Sequence, residues 1–361
     1  MVQDPLRSGL VPEPGSISPA ATAPKQAEGG RRTEVVCMGH AIVDRLAHVA
    51  EATVVSSGVE PGSMTLVDGA QIARIVGLVP DWVQVAGGSA ANTAAGLASL
   101  GDRPSFVGSV GTDALGEGYE RDLSAHGVRC VLGRDLEGRT TGQCLVLVTA
   151  DSGRTMATNL GAGVVIDVAC VEQAEVAEAA ALYLEGYLLD SPATFRAMER
   201  AIEIAKGAGV LVAVSLSDPF LVERHGDALK ELLDGRVDLL FANEEEARRF
   251  TGEADLSGAL VALDRPGLVA AVTLGPEGAV LVDRGERARV KAWSVGPVDD
   301  TTGAGDLFAA GVLHGLVHGA PLEVAGALGA LAAAEIVSHL GAQPRESLRA
   351  LAAKTGLAGP F

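Results

Sequence analysis

The chain has 361 residues, of which 48% are hydrophobic and 3% aromatic, a composition typical of a folded globular protein with a substantial core. A formal net charge of -18 argues against a nucleic-acid or anionic-membrane partner, and no apolar run reaches the roughly 20 residues that a membrane span needs. A small phosphorylated ligand remains compatible with this charge, because a metal ion and a few N–H groups can hold it.

Residues 1–32 are rich in Pro, Ala, Gly and Ser and lack the continuous apolar stretch of a secretory signal. We therefore expect a disordered tail, followed by one folded domain over residues 33–361. The cysteines are widely spaced and form no C-x-x-C pair, which indicates buried thiols in a reducing cytoplasm rather than a zinc site or disulfides. They are Cys37, Cys130, Cys144 and Cys170.

Continuous apolar strands alternate with helical stretches along most of the chain. The strands are predicted at 34–39, 104–108, 181–188, 210–216, 237–242 and 268–274. The helices are predicted at 89–100, 114–126, 192–206, 227–233, 244–250 and 307–318. This alternation predicts an α/β fold with a mostly parallel sheet covered on both faces, and in such sheets ligands bind beyond the carboxyl ends of the strands.

Two segments interrupt the alternation, near residues 45–84 and 140–158. The second segment is predicted to form a β-hairpin, with strands at 143–148 and 154–156 joined by a turn at 151–153. Because neither segment contains a helical crossover, we expect a small β-sheet attached to the main domain, where it would act as a lid over a ligand cleft.

A glycine-rich motif near the C-terminal end, Gly303-Ala304-Gly305-Asp306, leads directly into an apolar helix. Glycines let the backbone approach a ligand closely, and the first turn of a helix presents unpaired N–H groups that bind anions. A carboxylate there would repel phosphate, so Asp306 makes sense if it removes a proton from a group that attacks phosphate. The alternative is a strand-to-helix turn whose aspartate interacts with the helix dipole.

A second glycine cluster, Gly87-Gly88, precedes the helix that begins near Ser89, a plausible N-cap. Asn92 lies in the first turn of that helix, where its amide can meet a polyhydroxyl ligand. The alternative is a tight turn with a capping residue. Asp44 follows the first strand and is suited to accept hydrogen bonds from two sugar hydroxyls; the alternative is a solvated turn aspartate.

Two further motifs follow predicted strands. Asn243 can cap the next helix, and Glu246, one turn later, can bind magnesium through water; the alternative is a capping box with a solvated acidic face. The second motif is a turn that contains Thr273, Gly275 and Gly278 and could line a nucleotide. The alternative is an ordinary hairpin turn.

The histidines show no metal-binding motif such as H-E-x-x-H. His314 and His318 are spaced i, i+4 on a predicted helix, but no acidic residue accompanies them in the sequence. We expect surface or helix-end histidines.

No Walker sequence and no protein-kinase signature is present. Taken in order, the motifs above resemble the ribokinase-like, or phosphofructokinase B, family of carbohydrate and nucleoside kinases, over about residues 35–344. The resemblance implies a three-layer α/β sandwich with a small β lid. It also implies an enzyme that transfers the γ-phosphoryl group of ATP to a primary hydroxyl, with Mg²⁺ as cofactor.

The resemblance also implies a role for each motif. Asp306 would be the general base, and the N–H groups of Gly303, Ala304 and Gly305 would form the anion hole. Substrate would be held by Asp44, Gly87, Gly88 and Asn92, ATP would be bordered by Thr273, Gly275 and Gly278, and magnesium would be organised by Asn243 and Glu246. Some members bind potassium near the anion hole, for which the corresponding positions are Asp300 and Thr302.

Segments 141–144, 154–162 and 215–220 are most similar to adenosine-kinase-like bacterial members. The sequence therefore favours a nucleoside substrate, with adenosine converted to AMP, in a monomer or homodimer. A purine would want an aromatic or apolar platform, and the lid region offers only Trp82 as an aromatic. A ribose or fructose kinase is thus a live alternative. A non-catalytic nucleotide-binding regulator is a third, disfavoured because it would not need Asp306.

Overall fold

The computed structural model of the protein describes residues 34–150 and 154–357. The tail predicted for residues 1–32 and the hairpin turn at 151–153 lie outside the described residues. In chain order the strands are β1 (Val35–Met38), β2 (Ile42–His48), β3 (Met64–Leu66), β4 (Val83–Gly87), β5 (Pro104–Val110), β6 (Arg129–Arg134), β7 (Gly142–Val148), β8 (Arg154–Asn159), β9 (Ala181–Glu185), β10 (Leu211–Ser215), β11 (Leu239–Asn243), β12 (Val269–Thr273), β13 (Ala279–Asp283) and β14 (Glu286–Val290).

The helices lie between and after these strands. In chain order they are α1 (Glu51–Ser57), α2 (Gly69–Val76), α3 (Ser89–Leu100), α4 (Ala114–Ala125), α5 (Val168–Gln173), α6 (Pro192–Ala208), α7 (Pro219–Leu233), α8 (Glu244–Thr251), α9 (Leu256–Leu263), α10 (Ala304–Val317), α11 (Leu322–Ile336) and α12 (Leu348–Thr355).

The large sheet has nine strands in the order β14-β13-β12-β11-β10-β9-β1-β5-β6. All neighbours from β6 to β12 are parallel, and β13 and β14 complete the sheet as antiparallel edge strands. The strand order reverses around β1, and in open α/β sheets such a switch point marks the ligand crevice. The predicted α/β fold is confirmed.

Both faces of the large sheet are buried, which explains why its strands read as continuous apolar runs. In β1, Val36 and Met38 pack into the core that includes α5 to α9, whereas Val35 and Cys37 pack into the core that includes α3, α4, α10 and α11. Alternate side chains along each strand therefore pack against two separate layers of helices.

The small sheet has five strands in the order β3-β8-β7-β2-β4. Strands β7 and β8 form the antiparallel pair predicted from the sequence, and β2 pairs with β7 in parallel and with β4 in antiparallel orientation. Helices α1 and α2 cover one face of this sheet. Its other face is directed towards the carboxyl end of the large sheet, through contacts with the loop that follows α11.

Helix α10 is packed closely between α3 and α11 because glycines remove side chains at both contacts. A Cβ on Gly96 of α3 would meet Leu307 Cδ1 at 2.6 Å and Ala310 Cβ at 2.7 Å. A Cβ on Gly311 of α10 would collide with the backbone of α11 at Gly329. These contacts fix the position of α10, and with it the motif at its N-terminus.

Within the residues that the structure describes, no helix combines the length and the apolar character that a bilayer crossing requires.

Gly311→Ala should lower the free energy of unfolding by about 2 kcal/mol or more, because the added methyl group has no space against the α11 backbone. The matched control is Gly207→Ala in α6, where a Cβ meets nothing within 4 Å; it should stabilise the protein by roughly 0.5–1 kcal/mol. Urea denaturation of both variants measures the difference. Equal stabilities would contradict the packing argument.

Candidate active site

A polar cleft of about 360 Å³ lies beyond the carboxyl ends of the central strands. It brings together motifs that are far apart in the chain: Ser89 from α3, Asn243 and Glu246 from the β11–α8 junction, Thr273 from β12, and the segment 303–306 at the start of α10. The cleft lining, within the described part of the chain, includes no lysine or arginine. An anionic ligand there must be neutralised by backbone N–H groups and by a cation.

The carboxylate of Asp306 is held by two side chains of α3. Ser89 Oγ donates a hydrogen bond to Asp306 Oδ1 at 2.7 Å, and Asn92 Nδ2 donates one to Asp306 Oδ2 at 2.9 Å. Thr93 Oγ1 donates to the backbone carbonyl of Asp306 at 3.2 Å. The carboxylate therefore has a fixed orientation, and the second acceptor site of each oxygen is left for a further donor.

Three carboxylates around the cleft have raised pKa values. Burial raises the pKa of Asp306 to about 6, and the hydrogen bonds from Asn92 and Ser89 limit the rise. Burial also raises the pKa of Asp44 to about 7, with added repulsion from Asp306. The pKa of Glu246 rises to about 7, again chiefly through burial. A group of carboxylates with perturbed pKa values in a cleft is typical of catalytic and cation-binding sites.

The glycine-rich motif forms the N-terminus of α10. Gly303 adopts φ 79°, a left-handed conformation that suits glycine, and a Cβ there would meet Ala342 Cβ at 2.9 Å. A Cβ on Gly305 would meet nothing within 4 Å, so this glycine leaves the cleft side of the helix open. Ala304 N–H donates to the Thr301 carbonyl at 3.2 Å, so an incoming anion would have to compete for this member of the predicted anion hole.

Asn243 and Glu246 form the capping box that the sequence offers as the alternative to a magnesium site. Asn243 Oδ1 accepts from the Glu246 N–H at 2.8 Å, and Glu246 Oε2 accepts from the Asn243 N–H at 2.9 Å. Asn243 Nδ2 also donates to Glu246 Oε1 at 2.7 Å. Because both carboxylate oxygens are occupied but the residue lines the cleft, the geometry fits magnesium bound through water better than direct coordination.

The segment from Thr273 to Gly278 connects the antiparallel strands β12 and β13, so it is the hairpin that the sequence offers as an alternative. Gly278 has φ 94°, and a Cβ there would collide with the backbone carbonyl of Val290. Packing alone accounts for this glycine. Gly275 has φ 57° with nothing within 4 Å, and only Thr273 of this segment lines the cleft. Nucleotide contacts by the two glycines remain a prediction.

Asp300 has different partners from those expected of a potassium ligand. Its buried carboxylate pairs with Arg154 Nη1 of the lid strand β8 at 2.5 Å. It also accepts from the N–H groups of Thr302 at 2.7 Å and Gly341 at 3.1 Å. The guanidinium already neutralises this carboxylate and would repel a cation, so the Asp300 side chain does not fit the potassium role and no step is assigned to that ion.

The predicted substrate residues lie where the lid joins the main domain. Asp44 is on β2, opposite Val85 of the neighbouring strand β4, and a Cβ on Gly87, two residues further along β4, would collide with the Asp44 carboxylate. Gly88 adopts φ 97° and packs against the carbonyl of His40. The two glycines thus allow Asp44 and the start of α3 to approach each other. Hydroxyl binding by these residues remains a prediction.

The sequence misses several contacts that build the site. Ser89 is not the N-cap of α3, which is Gly88; it is the first helical residue, and its hydroxyl is free to hold Asp306. Glu185, at the end of β9, accepts hydrogen bonds from the N–H groups of His40 at 2.7 Å and Ala90 at 3.0 Å. No local pattern marks these residues, since their partners are distant in the chain.

The arrangement can remove a proton from a bound hydroxyl at Asp306 and can hold an anion at the start of α10. These two capacities side by side define a phosphotransferase that acts on an alcohol group. The chain belongs to the pfkB family of carbohydrate kinases, whose family model matches residues 33–348. It is an ATP-dependent phosphotransferase.

Known proteins similar to this chain act on different substrates. An adenosine kinase from Sinorhizobium meliloti is 39% identical, with a TM-score of 0.82 over 90% of this chain and 99% of that one. A probable sugar kinase from Rhizobium etli is 35% identical, with a TM-score of 0.84 over 91% and 100%. A ribokinase from Haemophilus influenzae is 28% identical over 71% of this chain and 82% of its own length.

Ser89→Ala should shift the acid limb of the kcat/KM profile to higher pH. The rate falls as pH drops through the Asp306 pKa, near 6, because the base becomes protonated; losing a donor that favours the carboxylate raises that pKa further. The control is Thr93→Val, since that hydroxyl contacts the Asp306 backbone and not its carboxylate. The assignment would be excluded if the acid limb of the kcat/KM profile moved in Thr93→Val and did not move in Ser89→Ala.

Proposed function

We propose that the protein phosphorylates a nucleoside at its primary hydroxyl and that its substrate is adenosine, which it converts to AMP for purine salvage in the cytoplasm. The observation that carries the kinase chemistry is the part-buried Asp306 side chain, whose carboxylate is fixed by Ser89 and Asn92 at the N-terminus of α10. Phosphoryl transfer requires mainly positioning and charge neutralisation, and this site is built for both.

In the proposed reaction Asp306 accepts the proton of the attacking hydroxyl. Asp44 would hold hydroxyls of the sugar, and the N–H groups of Gly303 and Gly305 would bind the transferred phosphoryl group. ATP supplies that group, and Mg²⁺ held through Glu246 would offset its negative charge. Closure of the small sheet would exclude water from the site.

The inner face of the small sheet supports a nucleoside over a free sugar. Leu46, two residues after Asp44 and on the same face of β2, packs with Val146 and Val148 of β7. Met156 of β8 and Leu340, from the loop after α11, pack against the same cluster. An aliphatic surface next to a hydroxyl-binding aspartate suits an apolar base joined to a sugar. The similarity to an adenosine kinase points the same way.

A ribose or fructose kinase is the alternative, favoured because no aromatic side chain among the described residues joins the cluster on that face. Trp82 packs into the core on the opposite face of the small sheet, where Arg45 lies 5.8 Å from its ring centroid. A purine would therefore contact aliphatic side chains rather than Trp82. The similarities to a ribokinase and to a probable sugar kinase keep this alternative open.

Asp306→Asn should fold and bind ATP but lose roughly 10²-fold or more in kcat, the usual scale for a positioned base. The amide keeps the shape of the side chain and cannot take the proton. Single-turnover kinetics with ATP, together with an ATP-binding titration, separate chemistry from binding. Near-normal turnover would remove Asp306 from the mechanism.

A panel of adenosine, other nucleosides, ribose, fructose and fructose phosphates tests the substrate class directly, with adenosine expected to give the highest kcat/KM. Val146→Ser on the inner lid face should then raise KM for adenosine about tenfold, since it removes apolar contact with the base. The control is Val83→Ser, at an exposed position of β4. Activity on sugars alone would establish the alternative.

A further inference from the structure

A cluster of metal-binding side chains lies at the opposite end of α10 from the active site. Asp102 follows α3, His314 is in the last turn of α10, and His318 is its C-cap. Asp102 Oδ2 lies 2.9 Å from His314 Nδ1, and Asp102 Oδ1 lies 2.8 Å from His318 Nε2. The predicted position of the two histidines at the end of a helix is confirmed. The sequence shows no acidic residue beside them, but the fold brings Asp102 to both.

We propose that Asp102, His314 and His318 form a binding site for a divalent transition-metal ion of the zinc class. Two imidazoles and one carboxylate are a ligand set that Zn²⁺ accepts, with water completing the coordination. The site is separate from the magnesium function proposed for the cleft, because the helical rise puts His314 about 12 Å and His318 about 18 Å along α10 from Asp306.

The geometry requires only small movements. One donor atom from each residue lies within 4.8 Å of the other two. A tetrahedral ion with bonds of about 2.1 Å holds its ligand atoms roughly 3.4 Å apart. The carboxylate would move outwards from its present hydrogen bonds and the two imidazole nitrogens would approach each other. Rotation of the side chains is sufficient, because the histidines are one turn apart on the same helix.

The burial of the three side chains suits an ion that enters from solvent. The Asp102 side chain is 2% exposed, that of His314 12% and that of His318 27%. The innermost ligand is therefore a carboxylate without access to bulk water, and the outermost is an imidazole at the surface. Water can reach an ion through the His318 side and occupy an open coordination position.

The local field also favours a cation. The helix C-terminus carries partial negative charge, and the buried Asp102 adds a full charge beside it. Glu34, whose charge is balanced by its salt bridge with Arg103, is near enough to His318 to interact with it electrostatically. An imidazole binds a metal ion only when it is deprotonated, so Zn²⁺ affinity should fall as the pH falls.

The site would tie together the two helices on which the catalytic base depends. At their N-terminal ends, α3 and α10 are linked by the bonds from Ser89 and Asn92 to Asp306. At their C-terminal ends, Asp102 links the residue after α3 to both histidines of α10. A metal ion would replace hydrogen bonds with coordination bonds at this second junction, and so stabilise the folded protein.

The test uses the full chain, treated with chelator and kept in excess Mg²⁺ to occupy the carboxylates of the cleft. Zn²⁺ titration by calorimetry should show one equivalent bound, and Co²⁺ should give the visible absorption of a nitrogen- and oxygen-ligated ion. His318→Gln retains a donor for Asp102 and should weaken Zn²⁺ binding at least about tenfold. The double variant His314→Gln/His318→Gln should abolish binding of that equivalent.

The matched control is His225→Gln, which removes an imidazole paired with a single carboxylate, Asp190, and should leave binding unchanged. Equal Zn²⁺ affinity in the wild-type protein and the double variant, or no binding by the wild type, would overturn the proposal. X-ray absorption spectroscopy of the wild-type zinc complex checks it without any variant. Two imidazole ligands are expected, and a sulfur ligand would contradict the assignment.

Discussion

The structure depends on keeping one carboxylate, Asp306, in the first turn of α10, beside the helix N-terminus that is proposed to bind an anion. The Ser89 hydroxyl and the Asn92 amide, both on α3, hold this carboxylate in place through hydrogen bonds. Burial raises its pKa to about 6, so the group is still mostly ionised near neutrality and is more basic than an ordinary aspartate.

The position of Asp306 is supported by the close packing of α10 against its neighbouring helices. Gly96 and Gly311 let α10 approach α3 and α11 so closely that the motif at its start has little freedom to move. The charge balance is less complete, since Asp44 and Glu246 are also buried carboxylates with raised pKa values. A cation would offset such a concentration of acidic groups, which agrees with the magnesium proposed there.

The small sheet connects the substrate to this machinery. Asp44 and the aliphatic cluster around Leu46 share one face of it, so hydroxyl binding and base binding would be coupled to the same rigid unit. Arg154 links the sheet to the catalytic segment through Asp300. The same ion pair that joins the two units also occupies the carboxylate expected to hold potassium, which shows how a tertiary contact can change the role that a motif implies.

The sequence by itself determined the fold class, because strands buried on both faces need continuous apolar runs. It predicted the apolar helix after the glycine-rich motif from residue 307, three residues later than α10 begins, at Ala304. It also identified the Asn243 capping box, whose partners are three residues apart. Only the tertiary structure decided that Ser89 holds Asp306 and that Asp102 joins His314 and His318. Those partners are more than 200 residues apart in the chain, and no local pattern records which loops a parallel sheet brings together.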